Sequence, residues 1–207
     1  MRKMAEWQKI ANIGKILPQV LSPFAADYFA KLSINGIARK TGLPRRTVAY
    51  QLNKLMTANL VNYTTQGKNK LFELDLDKRT TGTLLNLIEN GRTLKFQLET
   101  RYVMPIVDEI LRHCESMIIF GSYAAGTQHE TSDVDVVIVG RSNQKAIKDL
   151  KQKQAFEINE QYVSYDEFEH ILASKNPLAI EILHNHIIFG NFSRIVDIFW
   201  RKGHDQK

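Results

Sequence analysis

Cys114 is the only cysteine in 207 residues, so no disulfide can close within the chain and a cross-linked extracellular scaffold is excluded. No apolar run reaches the roughly 18 residues that a membrane-spanning helix needs. The opening Met1-Arg-Lys leads into mixed polar sequence rather than a signal-peptide core. These absences predict a cytoplasmic protein with no membrane partner. Internal repeats and low-complexity segments are missing as well. So is any Cys/His cluster: His184 and His186 stand at i and i+2, which do not face each other on a helix, and a zinc site is not expected.

Acidic residues are scarce in the first part of the chain. Residues 1–90 hold 14 Lys+Arg against 6 Asp+Glu, a net +8, whereas residues 91–207 hold 14 against 16, a net −2. Such asymmetry points to a polyanionic partner for the N-terminal part. A hydrophobic content of 43% is enough for ordinary globular cores, and the length suits one large or two small domains.

Apolar residues at Trp7, Ile10, Ile13, Leu17 and Val20 recur at helical spacing, so Met4 to Leu21 reads as a short amphipathic helix limited by Pro18 and Pro23. Phe24 to Lys31 reads as a second helix. Ser33 is a natural N-cap for a third, Ile34 to Lys40. Thr41-Gly42-Leu43 then turns the chain, and Pro44 suits the first position of a helix running to about Met56. On that helix Val48, Leu52 and Leu55 share the core face, which turns Arg46, Thr47, Tyr50, Asn53 and Lys54 outward, with Arg45 beside them. A guanidinium fork, a hydroxyl, an amide and an ammonium are the groups used on base edges and phosphates. Leu60 to Thr65 and Leu71 to Leu76 read as strands of a hairpin tipped by Gly67-Lys68-Asn69, with Lys68 and Lys70 available to a phosphate backbone. From Ser33 to Asp77 this pattern resembles the winged helix-turn-helix of microbial transcription regulators, which implies double-stranded DNA as ligand.

Beyond a polar boundary at Asp77 to Gly82, helices are expected over Thr83 to Asn90 and Thr93 to His113. Gly91 and Pro105 should bend or break them, and an apolar stripe from Leu94 to Leu111 should pack on a domain or on a second copy. Next comes the stretch that organises the chain, FGSYAAGTQHETSDVDVVIVG from Phe120 to Gly140. It reads as a strand end, a Gly-Ser turn, a small-residue loop and a second strand. Asp133 and Asp135 on that strand point to one face. A carboxylate pair among valines is costly unless neutralised, and Mg²⁺ is commonly held by one or two carboxylates plus substrate phosphates. The Gly121-Ser122 turn suits a phosphate.

Gly-Ser, ten residues from Tyr123 to Ser132, and Asp-x-Asp resemble the signature of the DNA-polymerase-β-like nucleotidyltransferases, in particular their minimal branch, over roughly Leu111 to Phe199. The resemblance implies that Asp133 and Asp135 bind divalent metal and that Gly121 and Ser122 hold the triphosphate of an incoming nucleotide. Many members carry a basic residue where this chain has Ala125. The family's third carboxylate, a metal ligand or general base, is assigned to Glu157 on an expected strand Phe156 to Ser164. A basic helix, Ser142 to Gln154, precedes that strand. Asp166 and Glu167 are set aside because they begin a helix, where carboxylates favour the N-terminus. Pro177 to His186 and Asn191 to Trp200 read as closing helices around a strand Ile187 to Phe189.

The expected architecture is therefore α+β: a winged helix-turn-helix domain over residues 1–79, a helical linker over 80–110, and a nucleotidyltransferase-like mixed sheet flanked by helices over 111–207. The expected activity is Mg²⁺-dependent transfer of AMP from a nucleoside triphosphate, ATP for preference, to a hydroxyl. Small members of the family act as antitoxins that adenylylate a partner toxin, so the resemblance implies a protein acceptor such as a cognate toxin. A homodimer is expected from the apolar stripes and from the two-fold sites common for such DNA binders. The rivals are a non-enzymatic regulator that senses nucleotide and an antitoxin acting by contact alone.

Overall fold

A computed structural model describes residues 18–77, 80–129, 131–153, 157–174 and 176–204. The expected helix over Met4 to Leu21 lies mostly outside these residues. Two compact units emerge, Met1–Gly91 and Arg92–Lys207.

In the first unit, the helix expected over Phe24 to Lys31 is replaced by a 3₁₀ turn at Ser22–Phe24 and a series of turns. The Asp27 carboxylate accepts from the Phe29 amide at 2.8 Å, and this local bond competes with continuation of a helix. Strand β1 (Leu32–Ser33) leads into α1 (Ile34–Thr41), whose N-cap Ser33 accepts from the Gly36 amide at 3.1 Å. Gly42, at φ 70, ends α1, and Pro44 stands as the N-cap of α2 (Arg45–Thr57), one position earlier than expected. The hairpin is formed by β2 (Val61–Gln66) and β3 (Asn69–Leu74), a sheet of order β1-β3-β2 with all pairings antiparallel. Phe24, Ile37, Val48, Leu52, Leu55, Val61, Phe72, Leu85 and Ile88 are buried. Each such side chain contributes roughly 1.5–3 kcal/mol of transfer free energy.

Helix α3 (Thr81–Glu99) runs unbroken through Gly91, where a break was expected, and the division between units falls inside it. A β-carbon on Gly91 would stand 2.7 Å from Cβ of Pro18, so this glycine serves close packing rather than chain reversal. The helix stops before Thr100, whose hydroxyl donates back to the Phe96 carbonyl at 2.6 Å. Pro105 then occupies the first turn of α4 (Met104–Leu111).

The second unit continues with β4 (Cys114–Phe120), α5 (Gly121–Ala125), β5 (Val134–Ser142), α6 (Gln144–Lys151), β6 (Ile158–Val163), α7 (Tyr165–Ala173), α8 (Pro177–His184), β7 (Ile187–Gly190) and α9 (Phe192–His204). Its sheet has the order β6-β5-β4-β7, with β5 and β6 parallel and the other pairs antiparallel. Both faces are covered. Met117, Ile119, Val134, Val136 and Ile138 pack with Ile106, Val107 and Ile110 of α4 and Ile147 of α6. Ile118, Val137 and Val139 are buried on the other face, where α7 packs on β5 and β6. Residues Phe96 to Ile110, expected within or beside a linker, thus contribute to this core. The stripe Leu94 to Leu111 divides: Ile106, Val107 and Ile110 are buried, while Leu94, Leu98 and Tyr102 are 56–60% exposed.

Candidate nucleic-acid surface and candidate active site

The first unit buries Val48, Gln51, Leu52 and Leu55 of α2, which leaves Arg45, Arg46, Tyr50 and Asn53 exposed, with Thr47 and Lys54 half-buried. The Lys54 ammonium lies over the Tyr50 ring at 4.4 Å, and Lys70 lies over Tyr63 at 4.1 Å. After Val61, every residue of β2 is exposed, and Lys68 sits in the turn that joins it to β3. The polar set read from helical spacing is therefore on the surface. Tyr63 was not foreseen, because strand alternation alone does not say that both faces of β2 stand in solvent.

In the second unit, Asp133 immediately precedes β5 and Asp135 is its second residue. Pairing sets Asp135 beside Phe120 of β4 on one side and Asn159 of β6 on the other. Strand alternation turns both aspartates away from the face of Val134 and Val136. Both are half-buried. The Asn159 amide donates from Nδ2 to Oδ2 of Asp133 at 3.3 Å and to Oδ1 of Asp135 at 3.2 Å. One amide thus bridges the two carboxylates.

Gly121 has φ 68, and a β-carbon there would stand 2.6 Å from Oδ2 of Asp135. Only glycine lets the backbone meet the carboxylate this closely, and the left-handed conformation would cost any other residue roughly 1–2 kcal/mol more. Ser122, half-buried, follows as the second residue of α5, which closes on Gly126 at φ 71. Next comes buried Tyr123, whose phenol is pushed up to about 12, first by burial, then by a hydrogen bond with Tyr102 and by the charge of Asp133. It therefore stays protonated at neutral pH, within electrostatic reach of Asp133.

Glu157 lies one residue ahead of β6 rather than inside it, and it is exposed. Its carbonyl accepts from the Val134 amide at 2.9 Å, and the pairing of Val134 with Ile158 sets it beside Asp133 in register. Asn159 is the residue that sequence reasoning left without a role. Its alternation with Glu157 was visible, but its place opposite Asp135 depends on the parallel pairing of β5 with β6.

Residues 103–193 match the family model of the nucleotidyltransferase domain. The match runs from α4 through β7 and contains Gly121, Ser122, Asp133, Asp135, Glu157 and Asn159. A search of curated proteins finds no match to the chain. A solved structure described as "Crystal structure of the toxin-antitoxin with AMP-PNP" is similar over 50% of this chain and 82% of its own, with 19% identity and a TM-score of 0.33. The matched region offers a divalent ion two hard carboxylates on one face. Among the described residues, no group of three or more His, Cys, Asp or Glu gathers to hold a metal. Two carboxylates completed by phosphate and water oxygens fit Mg²⁺, which dehydrates reluctantly and demands no all-protein cage. Elsewhere in the unit, Glu115 pairs with Arg141 at 2.6 Å beside a polar cleft of about 660 Å³ at the other end of β5.

Proposed function

We propose that this protein transfers a nucleotidyl group, AMP from ATP, to a hydroxyl acceptor, and that its first unit binds double-stranded DNA. One observation carries the first half: Asp133 and Asp135 share a strand face against Gly121, inside the region matched by the nucleotidyltransferase domain. In this reading Asp133 and Asp135 would hold Mg²⁺, and the Gly121-Ser122 turn would receive the triphosphate. When bound, the ion neutralises charge on the phosphates. The acceptor oxygen attacks the α-phosphorus, the bond from that phosphorus to the bridging oxygen breaks, and pyrophosphate leaves with the electron pair. Glu157, beside Asp133 in register, takes the acceptor's proton. A protein hydroxyl, such as one on a cognate toxin, is the acceptor class we infer.

The test is incubation with Mg²⁺, cell lysate and ATP labelled at either the α or the γ phosphorus. The α label should become attached to an acceptor and the γ label should appear in pyrophosphate. Attachment of the γ label instead would indicate kinase chemistry and sink the reading. One observation favours a second reading, a nucleotide-sensing regulator without turnover: among the described residues, no third acid gathers with Asp133 and Asp135. ATP-dependent changes in DNA affinity with no transfer would decide for it.

For the first unit, the order β1-α1-α2-β2-β3 with sheet order β1-β3-β2 supports a winged helix-turn-helix. Arg45, Arg46, Thr47, Tyr50, Asn53 and Lys54 would face a major groove, and Lys68 and Lys70 the phosphate backbone. A homodimer, built on the exposed Leu94, Leu98 and Tyr102, would match a two-fold DNA site.

A further inference from the structure

The Asn159 amide bridges the two carboxylates that would hold an ion. Its Nδ2 hydrogens point at Oδ2 of Asp133 and Oδ1 of Asp135, and in this pose they would repel a cation and compete for the same lone pairs. Both bonds are long, 3.3 and 3.2 Å, at the weak end for N–H to oxygen. An amide is nearly isosteric about its terminal torsion, so turning it over exchanges Nδ2 for Oδ1 with little change in shape. Asn159 is exposed, which leaves room for the exchange, while its pairing with Asp135 keeps the backbone fixed.

Resting on the nucleotidyltransferase reading of this site, we propose that Asn159 is a two-position arm of the metal site. It clasps Asp133 and Asp135 while the site is free, then turns its carbonyl oxygen onto the divalent ion as a third, uncharged ligand. Charge counting then sets the stoichiometry. Two carboxylates balance one divalent cation, and a neutral third oxygen leaves nothing to offset a second, so before nucleotide arrives the site takes one ion.

The opposing possibility is that Asn159 only donates hydrogen bonds, and the two roles predict opposite signs. Removing a competing donor should leave metal affinity unchanged or raise it. Removing an oxygen ligand should lower it. The experiment is Mn²⁺ titration of the full chain without nucleotide, followed by electron paramagnetic resonance and calorimetry, on the native protein, Asn159→Leu and Asn159→Asp, with thermal melts to confirm folding. We expect one Mn²⁺ per native chain, at least tenfold weaker binding in Asn159→Leu, and at least tenfold tighter binding in Asn159→Asp. Unchanged or tighter binding in the leucine variant, or no gain in the aspartate variant, overturns the proposal. The Asp133→Asn, Asp135→Asn double variant separates this failure from failure of the parent reading. If it still binds Mn²⁺ like the native chain, or if the native chain binds none, the metal site itself is wrong. If it loses Mn²⁺ while Asn159→Leu does not, only the role of Asn159 falls.

Discussion

Gly121 and Gly67 both lie at positive φ, 68 and 60, yet a β-carbon on Gly121 would meet Asp135 at 2.6 Å, whereas on Gly67 it would meet nothing within 4 Å. Gly67→Ala should therefore cost only conformational strain, roughly 1–2 kcal/mol in denaturant unfolding. Gly121→Ala should cost more, and it should also weaken ATP binding measured by calorimetry, because the displaced group is the Asp135 carboxylate. Equal costs with unaffected ATP binding would contradict the proposed link between turn and carboxylate. Cys114 offers a second residue-level test. Burial pushes its thiol up to about 11. At pH 8 its thiolate fraction should be on the order of 100-fold below that of an ordinary cysteine, since each unit is tenfold. Alkylation of the native chain should be correspondingly slow and should accelerate on unfolding.

Among the elements, α7 is held at its start by a reciprocal pair of bonds: the Glu167 amide donates to Oγ of Ser164 at 3.2 Å, and the Ser164 amide donates to Oε2 of Glu167 at 2.7 Å. The Ser164 backbone and hydroxyl donors hold the Glu167 carboxyl below its ordinary range. A depressed folded value gives stability that is present above the unfolded carboxylate value, about 4, and is lost as pH falls through the folded one. The native chain should therefore melt above Glu167→Gln at pH 7, and the gap should close below about pH 4. A gap that widens in acid would reverse the sign of the argument. The pair formed by α2 and the β2-β3 hairpin carries the DNA prediction. Arg46→Ala and Asn53→Ala should relax base preference, whereas Lys68→Ala should weaken binding to all sequences and lower the salt slope by about 1. Fluorescence anisotropy across a salt series distinguishes these outcomes.

At the scale of the whole chain, the separate compactness of Met1–Gly91 and Arg92–Lys207 predicts separable losses. In the Asp133→Asn, Asp135→Asn variant of the whole chain, nucleotide binding and transfer should fall sharply, because each substitution removes a charge from the proposed metal site while keeping its shape. DNA binding should survive, since it uses none of these groups. Joint loss of both, with folding intact, would show that the two surfaces are coupled. The proposed homodimer predicts a doubled mass in light scattering at micromolar concentration, reduced to the monomer mass by Leu94→Glu with Leu98→Glu.

Where the deciding forces are local, the sequence alone determines the structure. The cap at Ser33, the turn at Gly42, the buried face of Val48, Leu52 and Leu55, and the alternation that puts Asp133 and Asp135 on one face all follow from neighbours within about one helical turn or one strand pleat. Other outcomes depended on residues far apart in sequence. Gly91 sits within a helix at a point where Pro18 leaves no room for a β-carbon, and α4 belongs to a sheet core because Met117, Ile119 and Val136 arrive to cover it. Asn159 reaches the aspartates only because β6 runs parallel to β5 in one register, and a shift of one residue would turn it to the opposite face. Side-chain types and short-range periodicity were enough to put the polar residues of α2 in solvent and the two aspartates on one strand face. The partner of that pair was chosen by strand register, which is set by how the whole sheet buries its apolar faces.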